Sequence, residues 1–336
     1  MKAGSKVFLS VSLLSVLALP QVFAQTAPAQ APIVWPPGYI EPGTPQPPYM
    51  PANTPLGSGS YKSIMATEPG AENYVAYYPV DLAALGGKKL PILVWGNGSC
   101  TYLGNKFRHF LTDIASHGYF ALVAGPMAAP DGGRSETVNI SQNNALRDPE
   151  APRAPAAAPD PNAKRETVEQ MSSGIDWVIA ENKRQGSKFY GKLDTANIAV
   201  MGQSCGGGLA ANFGGDKRVK TIGLWSAATS RDDTVRDKLS QPTLIVTGDP
   251  RYDVAFYEGL AVFEALDKPK VFYAWRTNMT HLGTYRQTDG GELSPIAVAW
   301  LDWQLKGDAK AGQMFTGKNC GLCTNKHYHV QKKNMN

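Results

Sequence analysis

The pentapeptide Gly202-Gln203-Ser204-Cys205-Gly206 follows the apolar run Ile198-Ala199-Val200-Met201 and precedes a small-residue stretch, 207–211, that can continue as a helix. In a strand–turn–helix setting, a G-x-S-x-G serine sits on a sharp, strained turn with its hydroxyl exposed above the helix N-terminus. Such a hydroxyl becomes a nucleophile only when a histidine takes its proton. The histidine in turn needs a carboxylate to fix its tautomer and stabilise the imidazolium. The chemistry suggested by Ser204 is therefore acyl transfer, provided the rest of the chain supplies an acid, a histidine and an oxyanion loop.

Five histidines are available. His109 and His117 precede the serine on or at the end of one helical segment, where a surface or capping role is expected. His327 and His329 lie in a basic tail. His281 follows a predicted strand, 270–275, by a few loop residues, and it falls where the base belongs in the chain order serine, acid, histidine. For the acid, the run 243–247 leads into Gly248-Asp249-Pro250-Arg251-Tyr252-Asp253. Asp249, followed by proline, suits a turn. Asp253 lies further round the loop and is the favoured acid, with Asp249 the alternative. A developing oxyanion needs preorganised N–H donors. One expected donor is the backbone N–H of Cys205. The other is that of Ser99, in the loop Gly96-Asn97-Gly98-Ser99-Cys100. Trp95, Tyr102 and Trp225 stand near strand ends, either as lining of an apolar pocket or as ordinary core packing.

The elements that must position these residues alternate along the chain. Residues 61–68 and 74–80 read as opening antiparallel strands, and 91–95 as a short buried strand. Leu103, Phe107, Phe110, Leu111 and Ile114 recur at helical spacing and lead to a strand at 119–124. Val168, Met171, Ile175 and Val178 mark a second amphipathic helix before the serine's strand. Strands are expected at 219–225, 242–247 and 270–275. A final helix is expected to have Ser294 as N-cap, Pro295 at its first position and Gly307 just past its end. This rhythm predicts an α/β fold with a mostly parallel, doubly covered sheet of about eight strands and a site at the strands' carboxyl ends.

The flanking regions differ in character. Lys2, Lys6, the apolar residues 7–19 and Val22-Phe23-Ala24 read as a secretory signal peptide, 1–24, and no second hydrophobic segment suggests a stable membrane anchor. Residues 25–57, proline-rich, read as a linker or wrapping arm. The catalytic domain is expected over 58–306, with a flexible insertion at 131–164 rich in Gly, Pro and Ala, and a cysteine-containing tail over 307–336. The formal net charge of +5, two units of it from the signal lysines, is small and scattered, which argues against a nucleic-acid partner.

Beyond these patterns, residues 202–207, Trp95-Gly96-Asn97-Gly98, Ala115-Ser116-His117-Gly118, Asp253-Val254-Ala255-Phe256 and Thr280-His281-Leu282-Gly283-Thr284-Tyr285 resemble the secreted α/β-hydrolases related to dienelactone hydrolases, chlorophyllases and bacterial cutinase-like polyester hydrolases. The resemblance spans roughly 58–305. It implies the α/β-hydrolase fold, ester hydrolysis with no metal or organic cofactor, and the roles of nucleophile, acid and base for Ser204, Asp253 and His281. The chain departs from the cutinase-like pattern in lacking an aromatic residue in the oxyanion loop, and from dienelactone hydrolases in having serine in place of cysteine. Substrate is thus left between small esters and polyesters. The rival reading is a catalytically idle binding protein on the same fold.

Four cysteines in an exported chain suggest two disulfides. Cys100 and Cys205 each adjoin an expected oxyanion donor, so a Cys100–Cys205 bridge is expected to lock the hole and Cys320–Cys323 to staple the tail. A zinc reading of Cys320, Cys323, His327 and His329 is disfavoured by their spacing and by an oxidising compartment.

Overall fold

The computed structural model describes Met1, residues 55–127, 163–227, 229 and 233–335. Apart from Met1, the expected signal peptide lies outside the described residues, as do nearly all of the proline-rich arm and all but the last two residues of the 131–164 insertion.

Nine strands, β1 (Ser63–Glu68), β2 (Ala71–Pro79), β3 (Leu90–Gly96), β4 (Phe120–Ala124), β5 (Leu193–Gln203), β6 (Val219–Trp225), β7 (Thr243–Thr247), β8 (Val271–Arg276) and β9 (Tyr328–Lys333), form one sheet in the order β1-β2-β4-β3-β5-β6-β7-β8-β9. The run from β4 to β8 is parallel. β1, β2 and β9 join antiparallel at the edges.

The central strands are apolar without alternation because both faces are covered. On β3, Leu93 and Trp95 pack with Phe110 and Ile114 of α1 (Arg108–Ser116) and Trp300 and Leu301 of α6 (Leu293–Lys306). Ile92 and Val94 face the other way, among Met171, Ile175 and Val178 of α2 (Val168–Lys183) and Phe263 of α5 (Phe256–Ala265). Between them in chain order come α3 (Cys205–Ala211) and α4 (Asp233–Asp237), and α7 (Ala309–Gly312) follows α6.

The α2 helix is started by a reciprocal capping box. Thr167 Oγ1 accepts from the Gln170 N–H, and Gln170 Oε1 accepts from the Thr167 N–H. This fixes the chain at the point where Arg165 and Glu166 enter the domain.

The sheet's nine strands agree with the expected number of about eight, and the last, β9, comes from the segment expected as a cysteine-containing tail. Its register runs from Val271 opposite Lys333 to Arg276 opposite Tyr328. An edge strand buries little, so β9 carries lysines and no apolar alternation. Upstream in the same segment, Phe315 and Leu322 are buried in the α6 side of the core, and the Cys320–Cys323 disulfide closes the intervening turn. One expectation is corrected, that of Ser294 as an N-cap. The helix begins one residue earlier, at Leu293, and the Ser294 hydroxyl donates to Asp113 Oδ2 at 2.5 Å. The buried Asp113 carboxylate requires donors, and it also takes the Ser58 N–H at 2.7 Å. Gly307 ends the helix in the left-handed region, φ 70°.

Candidate active site

Ser204 stands between β5 and α3 with φ 55° and ψ −123°, a backbone region disfavoured for a residue with a side chain. Its N–H is held by the Trp225 carbonyl at 2.9 Å. The flanking glycines are required by close approach. A Cβ on Gly202 would lie 2.4 Å from the Gly206 carbonyl carbon, and one on Gly206 would lie 2.0 Å from that of Gly96. The elbow is therefore pressed directly against the end of β3.

From the loop after β8, His281 places Nε2 2.9 Å from Ser204 Oγ, and its Nδ1 lies 2.8 Å from Asp253 Oδ1. A carboxylate only accepts, so Nδ1 carries the proton and the Nε2 lone pair faces the serine hydroxyl. Asp253 also accepts the N–H groups of Gly248 at 2.6 Å and Ala255 at 2.9 Å. Burial alone would raise the Asp253 carboxyl. His281 and these backbone donors outweigh it and hold the group below its ordinary value.

Asp249, the alternative acid, does not reach the histidine ring. Its carboxylate accepts from Arg251 Nε and Nη2, each at 2.9 Å, from the Arg251 N–H at 3.0 Å and from the Asn278 N–H at 2.8 Å. Its own N–H donates to the Met279 carbonyl at 2.8 Å. Asp249 thus fastens the acid loop to the segment that leads into His281. Gln203, not singled out by sequence, adds a second tie, with Nε2 donating to the His281 carbonyl at 2.9 Å. Its Oε1 occupies the space that a Cβ on Gly98 would need, at 2.0 Å.

On the opposite side of Ser204, residues Gly98–Cys100 form a short 3-10 turn in which Ser99 (φ 59°) and Cys100 (φ 47°) are left-handed. The Cys100–Cys205 disulfide joins this turn to the first residue of α3, with Cα atoms 5.2 Å apart. The N–H groups of Cys100 and Thr101 are spent inside the turn, on the carbonyls of Asn97 and Gly98. The Asn97 N–H is taken by Glu166 Oε2 at 2.6 Å. Those of Gly98, Ser99 and Cys205 have no acceptor among the described residues.

Glu166 and Arg165 were not legible in the sequence, where they follow an irregular segment without period. The Glu166 N–H donates to the Cys100 carbonyl at 2.8 Å, and Arg165 Nη2 to the Ser99 carbonyl at 3.2 Å. Burial pushes the Glu166 carboxyl up to about 8, against the smaller lowering effects of the Asn97 and Ala124 backbone and of Lys106.

The aromatic candidates divide. Trp95 and Trp225 are fully buried core residues packed on Phe110, whereas Tyr102 is partly exposed beneath Lys164 Nζ, 4.1 Å from its ring centre. His109, expected at the surface, is buried, and burial followed by the Arg108 charge lowers its pKa to about 4. In the tail, His329 stacks on Trp275 at 3.7 Å.

The sheet order, the elbow after β5 and the loops gathered at the strands' carboxyl ends are those of an α/β-hydrolase. Residues 157–334, more than half of the chain, match the family described as PETase, PET hydrolase-like, and the chain belongs to that family. It is accordingly an ester hydrolase. The matched span contains Ser204, Asp253 and His281 but not β3 or the 98–100 turn. No curated protein matches the chain.

Proposed function

We propose that this ester hydrolase is an exported serine esterase. The observation that carries the reading is the unbroken hydrogen-bonded series from Ser204 Oγ through His281 to Asp253, ending on a buried carboxylate held ionised. His281 Nε2 takes the hydroxyl proton as Ser204 Oγ attacks the ester carbonyl. Asp253 keeps the ring oriented and stabilises the imidazolium. The N–H groups of Cys205 and Ser99 receive the oxyanion, each contributing about 2.7–4 kcal/mol of transition-state stabilisation. The imidazolium then protonates the departing alkoxide. Water, deprotonated by the same histidine, releases the acid and regenerates Ser204. Export is supported by the signal-like N-terminus and by the two disulfides. No helix among the described residues is long and apolar enough to cross a membrane.

The family match favours polyester as a substrate, while the oxyanion turn, outside the matched span, differs from the cutinase-like pattern. Labelling of the mature protein with a fluorophosphonate, beside Ser204→Ala, tests the nucleophile. Parallel assays on p-nitrophenyl esters and on dispersed polyester particles rank the substrates. A folded wild-type protein that takes no label would overturn the esterase reading in favour of an idle binding protein.

A further inference from the structure

The rim of the 98–100 turn is ringed by cations. Lys106 Nζ donates to the Gly98 carbonyl and the Thr101 hydroxyl, each at 3.0 Å. Arg165 Nη2 lies 3.2 Å from the Ser99 carbonyl and 3.7 Å from Cys205 Sγ, beside the residue that follows the nucleophile. Lys164 stands over Tyr102. Arg165 differs from most of the other arginines among the described residues. Arg184, Arg218, Arg236, Arg251 and Arg276 each sit on an aspartate or glutamate. Arg165 contacts a carbonyl and a sulfur, its Nε and Nη1 have no acceptor among the described residues, and it is exposed.

Among the described residues, nearby acids do not cancel this charge. The Asp253 carboxylate is committed to His281. Glu166 is raised to about 8, so near neutral pH it is mostly protonated. An exposed guanidinium whose Nε and Nη1 have no acceptor among the described residues can donate to a carboxylate and matches it in charge.

Building on the esterase reading, we propose that Arg165, supported by Lys164, recognises a carboxylate on the substrate's acyl chain, so that half-esters of dicarboxylic acids are favoured over neutral esters of equal length. The guanidinium lies 3.7 Å from the sulfur of Cys205, the residue whose N–H is the proposed oxyanion donor, so a carboxylate on a short acyl chain held there is the group it would meet. The same contact retains acidic fragments that still carry one ester bond, and so directs the enzyme to the last bond of an oligomer.

The test compares kcat/KM for mono-4-nitrophenyl glutarate and 4-nitrophenyl pentanoate in the wild type, Arg165→Ala, Arg165→Lys and Lys164→Ala, at low and high salt. The readout is the ratio of the two substrates, which cancels any general loss from disturbing Ser99. The glutarate is expected to be preferred, with the ratio falling about tenfold in Arg165→Ala, as for one exposed charge-assisted contact. A smaller fall is expected in Lys164→Ala, recovery in part in Arg165→Lys, and a decline with added salt. Turnover of the pentanoate with no glutarate preference, or a ratio identical in Arg165→Ala and wild type, would overturn the inference and leave the esterase intact. Failure of a folded wild type to cleave either ester would overturn both.

Discussion

The two sides of Ser204 are held by different means. On the histidine side, apart from the Gln203 tie, the contacts are between loops close in the chain, as Asp249, Arg251 and Tyr252 fasten to Asn278, Met279 and His281. On the oxyanion side, three distant segments meet. The 97–101 turn is bonded to Arg165 and Glu166 and bridged to Cys205, 105 residues from Cys100. Each side contains a buried carboxylate that accepts backbone N–H groups, but the two end in opposite states. Burial would raise Asp249, yet Arg251 and the Asn278 N–H hold it below its ordinary value. At Glu166 burial outweighs the lowering effect of Lys106 and of the backbone donors, and the carboxyl is raised to about 8. The expected base is thus fastened by an ion pair, and the turn that carries the expected oxyanion donor by a covalent bridge and a largely neutral carboxyl.

The largest expected effect separates the two aspartates of the histidine side. Asp253→Asn leaves the shape of the site intact but removes the acceptor for the His281 Nδ1 proton, and kcat on a p-nitrophenyl ester is expected to fall about 10⁴-fold. A loss of the same size in Asp249→Asn would reverse the assignment of acid and fastener. Next in size is the covalent tie. By loop-closure entropy, the bridge spanning 105 residues contributes about 4.7 kcal/mol, against about 2 kcal/mol for Cys320–Cys323, which spans 3. The double replacement Cys100→Ser, Cys205→Ser is therefore expected to cost more in urea unfolding than Cys320→Ser, Cys323→Ser. It alone is expected to lower kcat, on the order of 10- to 100-fold. Equal kcat in both pairs would show that the 98–100 turn stands without its bridge.

Asp249→Ala is expected to be milder, at about 2 kcal/mol of stability, discounted for the half-exposed Arg251 guanidinium. Its pH dependence has a definite sign. The folded carboxyl is lowered, so its stabilisation is present above the unfolded value of 3.8 and is lost as pH falls through the folded one. The mutant's deficit in urea should therefore shrink toward low pH.

Ser204, His281, Asp253 and the Cys100–Cys205 pair could be singled out from sequence because each follows an apolar strand at a fixed offset, and strand ends of a parallel sheet converge. The parallel strands were legible from their continuous apolar runs, and the two opening antiparallel strands from their aromatic and β-branched content. Arg165 and Glu166 carry no such signal. They precede α2 at the end of a segment with neither helical nor strand period, and only the tertiary fold brings them to the 98–100 turn. β9 was hidden because an edge strand satisfies its backbone without apolar alternation. Ser294 was misread because a local capping rule was overridden by the buried Asp113, distant in the chain.

The contrast between the two carboxyls is sharpest in their pH dependence. Glu166 has a folded value of about 8 against 4.5 in the open chain, so between these limits the folded state binds more protons than the unfolded. Its contribution is fully present below pH 4.5 and is lost as pH rises toward 8, the reverse of Asp249. In Glu166→Gln the amide oxygen can still accept the Asn97 N–H, and nothing titrates. The mutant is therefore expected to gain on the wild type in urea midpoint as pH is raised from about 5 to about 8, with the difference level beyond that. Lys106 opposes the shift, and Tyr74, within electrostatic reach, stays neutral over this range because burial raises it. The turn carries the expected oxyanion donor Ser99, so an inflection near pH 8 in the wild-type kcat profile, absent in Glu166→Gln, is expected as well. Parallel stability curves for the two proteins would mean that Glu166 is ionised like Asp249, and that both sides of Ser204 rest on the same device.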